Sequence, residues 1–176
     1  MNNYKTKIRT VPDYPAQGIM FRDVTTLMSD PGAFSNAIGD LCRPFENMNI
    51  SKVAGIDARG FILGGAMALK LGAGFLPLRK PGKLPYKTWS EPYELEYGSD
   101  ALHMHTDGVS EGENVLLVDD LIATGGTAEA GVKLLRRGKA DIVAAAFLVD
   151  LPEIGGSRRL RELGIDVMSL VTFTGH

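Results

Sequence analysis

The chain has 176 residues, 44% hydrophobic and 23% charged, with a net charge of −2 at pH 7. That composition supports one packed globular core and excludes disorder, as well as recognition of nucleic acid or an acidic membrane through bulk charge. Cys42 is the only cysteine, which rules out an internal disulfide or a thiolate metal cage and suits a reducing cytoplasm.

Residues 1–10 are polar and lack the apolar run of a signal peptide. A short helix is followed there by the breakers Pro12, Pro15 and Gly18. Asp30 before Pro31 reads as a helix start, because proline in the first turn gives up no needed N–H. That helix runs to about Cys42, and Pro44 stops it. Residues 52–56 form a short apolar run suited to a buried strand. Residues 61–71 read as a helix closed by Gly72, and 75–78 as another strand.

Residues 79–98 carry Pro81, Gly82, Pro85 and Pro92 without apolar periodicity, so an irregular, functional stretch is expected. Regular structure returns at 101–105 and in the strand 115–118. A helix over 127–137 places Ala128, Val132 and Leu135 on one side, with Gly131 and Leu134 beside them. Strands at 142–149 and 167–171 complete the set. Strands alternating with helices predict a single α/β domain whose mostly parallel central sheet is flanked by helices. The longest stretches free of polar side chains, 60–69 and 142–149, fall well short of the ~20 residues of a membrane-spanning helix. A soluble protein with no membrane partner is therefore expected.

The strongest chemical signal follows the strand 115–118. It ends in Asp119-Asp120, and burying two adjacent carboxylates without partners costs several kcal/mol each, so both are expected at the exposed C-terminal end of the strand. Ligands of open α/β sheets bind at that end. Ala123-Thr124-Gly125-Gly126-Thr127 then opens a helix. Glycines let the backbone approach an anion, and free N–H groups at a helix start point toward it. Carboxylates can accept from ribose hydroxyls while the loop cradles a phosphate. The plainer alternative has Asp120 and Thr124 capping the helix and the glycines only turning the chain. There is no G-x-x-x-x-G-K-[ST], and Pro77 replaces the third glycine after Gly72-Ala73-Gly74, so neither a P-loop nor a dinucleotide fingerprint is present.

The stretch from Val115 to Thr127 resembles the phosphoribosyl-pyrophosphate (PRPP) signature of type I phosphoribosyltransferases. The likeness extends over nearly the whole chain and is to the adenine phosphoribosyltransferases. It is carried by Asp13-Tyr14-Pro15 with Gly18 to Asp23, by Asp57-Ala58-Arg59-Gly60-Phe61, by Arg79-Lys80-Pro81-Gly82-Lys83-Leu84-Pro85, and by Leu95-Glu96-Tyr97-Gly98. The resemblance implies a phosphoribosyltransferase-type fold with a small N-terminal hood, about 1–30, and a mobile lid, about 80–98. It implies that adenine and PRPP give AMP and pyrophosphate with Mg²⁺, held mainly by PRPP with no direct protein ligand, in a cytoplasmic homodimer.

The resemblance also assigns roles. Asp119 and Asp120 take the ribose, and Ala123, Thr124, Gly125, Gly126 and Thr127 take the phosphate. Arg59, just after a strand, neutralises charge leaving with pyrophosphate, and Arg79, Lys80 and Lys83 offer further cations; each can equally be a solvated surface charge. Residues alone do not choose among Glu91, Glu94 and Glu96; the resemblance selects Glu96 as the carboxylate near the base N7, with Tyr97 beside it in the lid. Backbone groups at Met20 and Arg22 would read the adenine edge, Phe21 one face and Leu151 the other, although Phe21 and Leu151 also suit an ordinary core.

His103 and His105 share one strand face, but without further ligands they read as structural. Trp89 is a lid anchor or a partner contact, and Asp57 either supports neighbouring site residues or contacts Mg²⁺-bound water; the sequence decides neither. Two other functions fit less well: the same chemistry on hypoxanthine, guanine or xanthine, and a non-catalytic PRPP sensor. The sensor would need a DNA-binding segment or a basic face, which this chain lacks.

Overall fold

The computed structural model describes residues 3–94 and 99–174. Glu96 and Tyr97, selected by resemblance for the base and the lid, lie outside the described residues. In chain order, β1 (Arg9–Pro12) and β2 (Met20–Asp23) pair antiparallel as a ribbon ahead of the short α1 (Thr25–Met28) and the longer α2 (Pro31–Cys42). Then come β3 (Lys52–Ile56), α3 (Arg59–Leu71), β4 (Gly74–Leu78), β5 (Thr88–Glu94), β6 (Ser99–His105), β7 (Asn114–Ile122), α4 (Gly126–Arg137), β8 (Asp141–Asp150), α5 (Gly156–Glu162) and β9 (Val167–Thr172). The central sheet has the order β4-β3-β7-β8-β9, and every neighbouring pair is parallel.

Successive side chains of the middle strands divide between two apolar layers. Val53, Leu116, Val118, Ala146 and Leu148 belong to one layer, shared with α2 and α3. Ala54, Leu117, Ala145 and Phe147 belong to the other, shared with α4 and the β5–β6 hairpin. Burial on both faces explains why these strands read as unbroken apolar runs. At the start of α2 the Asp30 carboxylate accepts the Ala33 N–H at 2.9 Å, with Pro31 in the first turn. Gly72 closes α3 with φ +67°, a left-handed conformation that suits a residue without Cβ.

Three elements differ from the sequence expectation. The stretch 79–98 is not irregular throughout, because β5 pairs antiparallel with β6. Its period-2 pattern is hidden by polar residues that α4 satisfies. The Arg137 guanidinium lies 5.5 Å from the centre of the Trp89 ring, Glu91 pairs with Lys133 at 3.5 Å, and Tyr93 is 9% exposed. Pro92 is tolerated because β5 has a ladder partner on one side only. Helix α5 was not foreseen, since its Gly155-Gly156 start reads as a loop. Strand β7 continues past the acidic pair to Ile122.

Phe173, just beyond β9, anchors the N-terminal ribbon. Its ring carries the Arg22 guanidinium at 4.2 Å and the Lys5 ammonium at 5.5 Å, and its N–H donates to the Asp150 carbonyl at 3.1 Å. Arg22 also donates to the Thr10 hydroxyl across the ribbon at 2.5 Å. Removing the ring in Phe173→Ala should lower stability by about 1–2 kcal/mol, a fall in Tm of roughly 2–8 °C. Amides of β1 and β2 should exchange faster while those of β7 and β8 hold. Unchanged exchange in the ribbon would show that the ring does not anchor it.

Candidate active site

The cleft is created by unequal strand lengths. Pairing of β3 with β7 ends at Gly55↔Val118, whereas pairing of β7 with β8 continues through Asp119↔Phe147 to Ile122↔Asp150. The acidic pair therefore sits in a strand that is laddered on one side and open on the other. The expectation that the strand ends at Val118 and leaves both carboxylates exposed is corrected here: Asp120 is only 4% exposed. Two causes combine. β8 keeps supplying backbone partners, and Arg59 supplies a counter-charge.

Arg59 reaches Asp120 because α3 begins at Arg59, three residues past the end of β3. Its Nε lies 2.7 Å from Asp120 Oδ2. The approach is off the hydrogen-bond axis, which leaves Oδ2 without an aligned donor, so the contact is an ion pair. Gly60 permits the close approach. A Cβ there would stand 2.9 Å from both Asp119 Oδ1 and the Val118 carbonyl oxygen. The Asp120 N–H donates to Asp119 Oδ1 at 2.8 Å, which fixes the Asp119 carboxylate. Asp57, Arg59, Lys80, Tyr93, both aspartates and Thr127 line a cleft of about 420 Å³.

The glycine loop lies alongside. Gly125 precedes α4 with φ +79°, and no side chain caps the helix start. Asp120 is engaged by Arg59 rather than by the helix, so the capping alternative does not describe this loop. Residues 119 and 121–128 line a smaller concavity of about 120 Å³, and unsatisfied N–H groups at such a site suit an anion. A larger hollow of about 460 Å³ lies between β5 and α4, but its charges already neutralise one another. There Glu129 pairs with Lys133 at 3.0 Å and with Arg159.

The remaining candidates are spread around this centre. Arg79 donates to Asp57 Oδ2 at 3.1 Å and to the Lys83 carbonyl at 3.3 Å, and the Asp57–Ala58 peptide is cis. Lys83 is exposed, and Lys80 pairs with Asp100 at 3.2 Å. Phe21 is brought to the site: its ring centre is 5.8 Å from the Arg59 guanidinium and 5.2 Å from the Tyr14 ring. Met20 is 36% exposed at the start of β2. The Arg22 side chain turns away, onto Phe173 and Thr10. Leu151 is half-buried, and its N–H donates to the Ile122 carbonyl at 3.0 Å. His103 accepts or donates at Thr88 (3.1 Å) and His105 faces Tyr86, both away from the acidic pair. Sequence reasoning missed Gly60 as a packing requirement and Gly156 behind the loop; the Gly155-Gly156 doublet just after a buried strand was the available signal.

Residues 38–166 match the phosphoribosyl transferase domain, which defines the class of this fold and cleft. The chain is 59% identical over 172 residues to adenine phosphoribosyltransferase of Bradyrhizobium sp. strain ORS 278, covering 98% of this chain and 96% of that protein. Its fold is similar to the crystal structure of adenine phosphoribosyltransferase from Rhodothermus marinus, with TM-score 0.90, 47% identity and 96% of each chain covered. It is also similar to the Saccharomyces cerevisiae enzyme complexed with an imino-altritol bisphosphate and adenine, with TM-score 0.88, 35% identity, and 95% of this chain and 96% of that one covered. The chain belongs to the adenine phosphoribosyltransferase family.

Burial raises the proton affinity of both aspartates. The Asp120 charge pushes Asp119 further up, while Arg59 opposes the shift at Asp120. In the unfolded chain both ionise near 3.8. The pair's contribution to stability is therefore fully present below that pH and is lost as pH rises through the folded values. Asp119→Asn keeps the acceptor for the Asp120 N–H and removes one charge. Its Tm should exceed that of the wild type by several degrees at pH 7.5, and the gap should close near pH 4. A lower Tm for the variant at pH 7.5 would refute the buried-charge account.

Proposed function

We propose that the chain transfers the phosphoribosyl group of PRPP to adenine, forming AMP and pyrophosphate, a purine-salvage reaction. The observation that carries this is the juxtaposition of two carboxylates with an uncapped glycine loop at one open sheet edge. Asp119 and Asp120 accept from the ribose hydroxyls, and Ala123, Thr124, Gly125, Gly126 and Thr127 hold the 5-phosphate.

The bond from the anomeric carbon to pyrophosphate breaks, and its electron pair leaves with pyrophosphate. A ring nitrogen of adenine donates its lone pair to form the new bond, and the proton on the base N7 passes to Glu96 or to water. Charge at the anomeric carbon develops between these events, so held geometry and electrostatics do the work without a protein nucleophile. Arg59, Arg79 and Lys83 neutralise the departing charge. Phe21 and Leu151 sandwich the base, while backbone groups of Met20 and Arg22 read its edge. Glu96 serves the base N7, and Tyr97 accompanies it.

Mg²⁺ fits as an ion carried by PRPP. Asp57 and Asp119 are the cleft carboxylates that can meet its water, and the ion supplies charge neutralisation on pyrophosphate. A cytoplasmic location fits the lone, buried Cys42. No helix among the described residues is long and apolar enough to cross a membrane.

The working unit is a homodimer formed through the outer face of α3 and the edge strand β4. Ile62, Leu69 and Phe75 are 50%, 86% and 39% exposed there, and Phe61 packs edge-on against Phe75 at 5.5 Å. An apolar face beside an unpaired sheet edge suits a self-complementary contact. Light scattering should give a dimer for the wild type and a folded monomer for Leu69→Glu. A wild-type monomer at micromolar concentration would overturn this assignment.

The test of the reaction is nucleotide formation from PRPP and Mg²⁺ with adenine, hypoxanthine, guanine or xanthine. Turnover should be confined to adenine. Turnover with another base would keep the Asp119–Thr127 assignment and remove the Phe21–Leu151 pocket. PRPP binding without turnover on any base would establish a sensor.

A further inference from the structure

The phosphate loop rests against a second glycine, outside the loop itself. Gly156, the first residue of α5, donates its N–H to the Ala123 carbonyl at 2.9 Å. Five residues earlier Leu151 donates to the Ile122 carbonyl at 3.0 Å. The segment 151–156 is thus bonded at both ends to the chain that enters the loop. The contact at Gly156 leaves no room for a side chain. A Cβ there would overlap the Ala123 carbonyl oxygen, and would lie 2.7 Å from Gly125 N and 2.9 Å from Ile122 Cγ1. From the other side, a Cβ on Gly125 would stand 2.8 Å from Gly156 Cα. Most of these are backbone atoms, which cannot swing aside as the end of a long side chain can.

Gly156 has no positive φ, so its backbone conformation does not require glycine; the contact does. Its neighbour Gly155 is the reverse case. Gly155 has φ +95°, and a Cβ there would meet only the flexible end of Arg158, at 3.1 Å. The two glycines therefore separate turn strain from loop contact.

We propose that Gly156 is a positioning residue for the phosphate loop: its bare backbone is the wall that sets the course of residues 123–127. If the loop holds the 5-phosphate, as proposed above, a side chain at 156 pushes the loop amides off the phosphate. The ribose and base contacts are left in place. The bond from Leu151 to Ile122 makes the same segment the link between the base side and the phosphate side of the cleft.

Calorimetric titration with AMP and adenosine, which differ only in the phosphate, tests this directly. The wild type should bind AMP at least about tenfold more tightly than adenosine. Gly156→Ala should lose about tenfold or more in AMP affinity, as expected for a displacement of roughly 1 Å, and change less than about twofold for adenosine. Gly155→Ala should lower Tm and leave the preference for AMP intact. A wild type without that preference overturns the phosphate reading and the proposal together. A preference retained in Gly156→Ala, or lost equally in both variants, overturns the proposal alone. Should Gly156→Ala fail to fold, hydrogen exchange of the wild-type Gly156 amide decides. AMP, and not adenosine, should slow it, and equal protection by the two ligands overturns the proposal.

Discussion

The ion pair between Arg59 and Asp120 is the contact on which the cleft depends. Two adjacent carboxylates lie where β7 has outrun β3, and Asp120 is almost wholly shielded from water. Taking a charge out of water costs several kcal/mol, and only a close counter-charge with satisfied neighbours offsets it. Arg59 supplies the counter-charge, and the Asp120 N–H holds the companion carboxylate. Neither is free to form anywhere else in the fold. Arg59 opens α3 directly after β3, and Gly60 lets that helix start lie against Val118 and Asp119.

The rest of the molecule holds this edge still. Alternating side chains of β7 and β8 fill two apolar layers, so a shift of one strand by one residue would exchange its side chains between the layers and spoil the packing of both. The outlying pieces are fastened by specific side-chain contacts as well as by burial. Phe173 takes Arg22 from the N-terminal ribbon and Lys5 from the helical turn ahead of it, and α4 takes Trp89, Glu91 and Tyr93 from the β5–β6 hairpin. Residues 88–94, expected from the sequence to be irregular, are consequently strand held against α4.

What was legible in the sequence was local. Asp30-Pro31 announces a helix because the cap and the first turn lie within four residues of each other. The runs 115–118 and 142–149 announce buried strands because each needs only its own apolar side chains. What was hidden depends on partners distant in the chain. β5 looks irregular until Lys133 and Arg137 are placed beside Glu91 and Trp89. Asp120 looks exposed until Arg59 is brought to it from sixty-one positions away. Gly156 looks like any loop glycine until Ala123 and Gly125 are packed against it. Family resemblance selected Glu96 where spacing could not choose, and that residue lies outside the described region.

On the proposed function, the order of charge along the cleft would give the arrangement its selectivity. The uncapped start of α4 is partially positive, the aspartate pair offers acceptors, and Arg59 and Lys80 line the same cleft as the pair. Under the proposed function, a ligand with a phosphate, then a diol, then a pyrophosphate would meet donors, acceptors and cations in matching sequence. Shift that ligand by one group and a phosphate faces two carboxylates. Like charges so placed exclude the wrong register more sharply than the right contacts attract the correct one. Amides in place of the aspartates would still accept from hydroxyls, but they would lose that exclusion. The acidic pair therefore carries a stability penalty that a neutral pair would avoid, and on the proposed function it would in return fix which part of the substrate can lie above it.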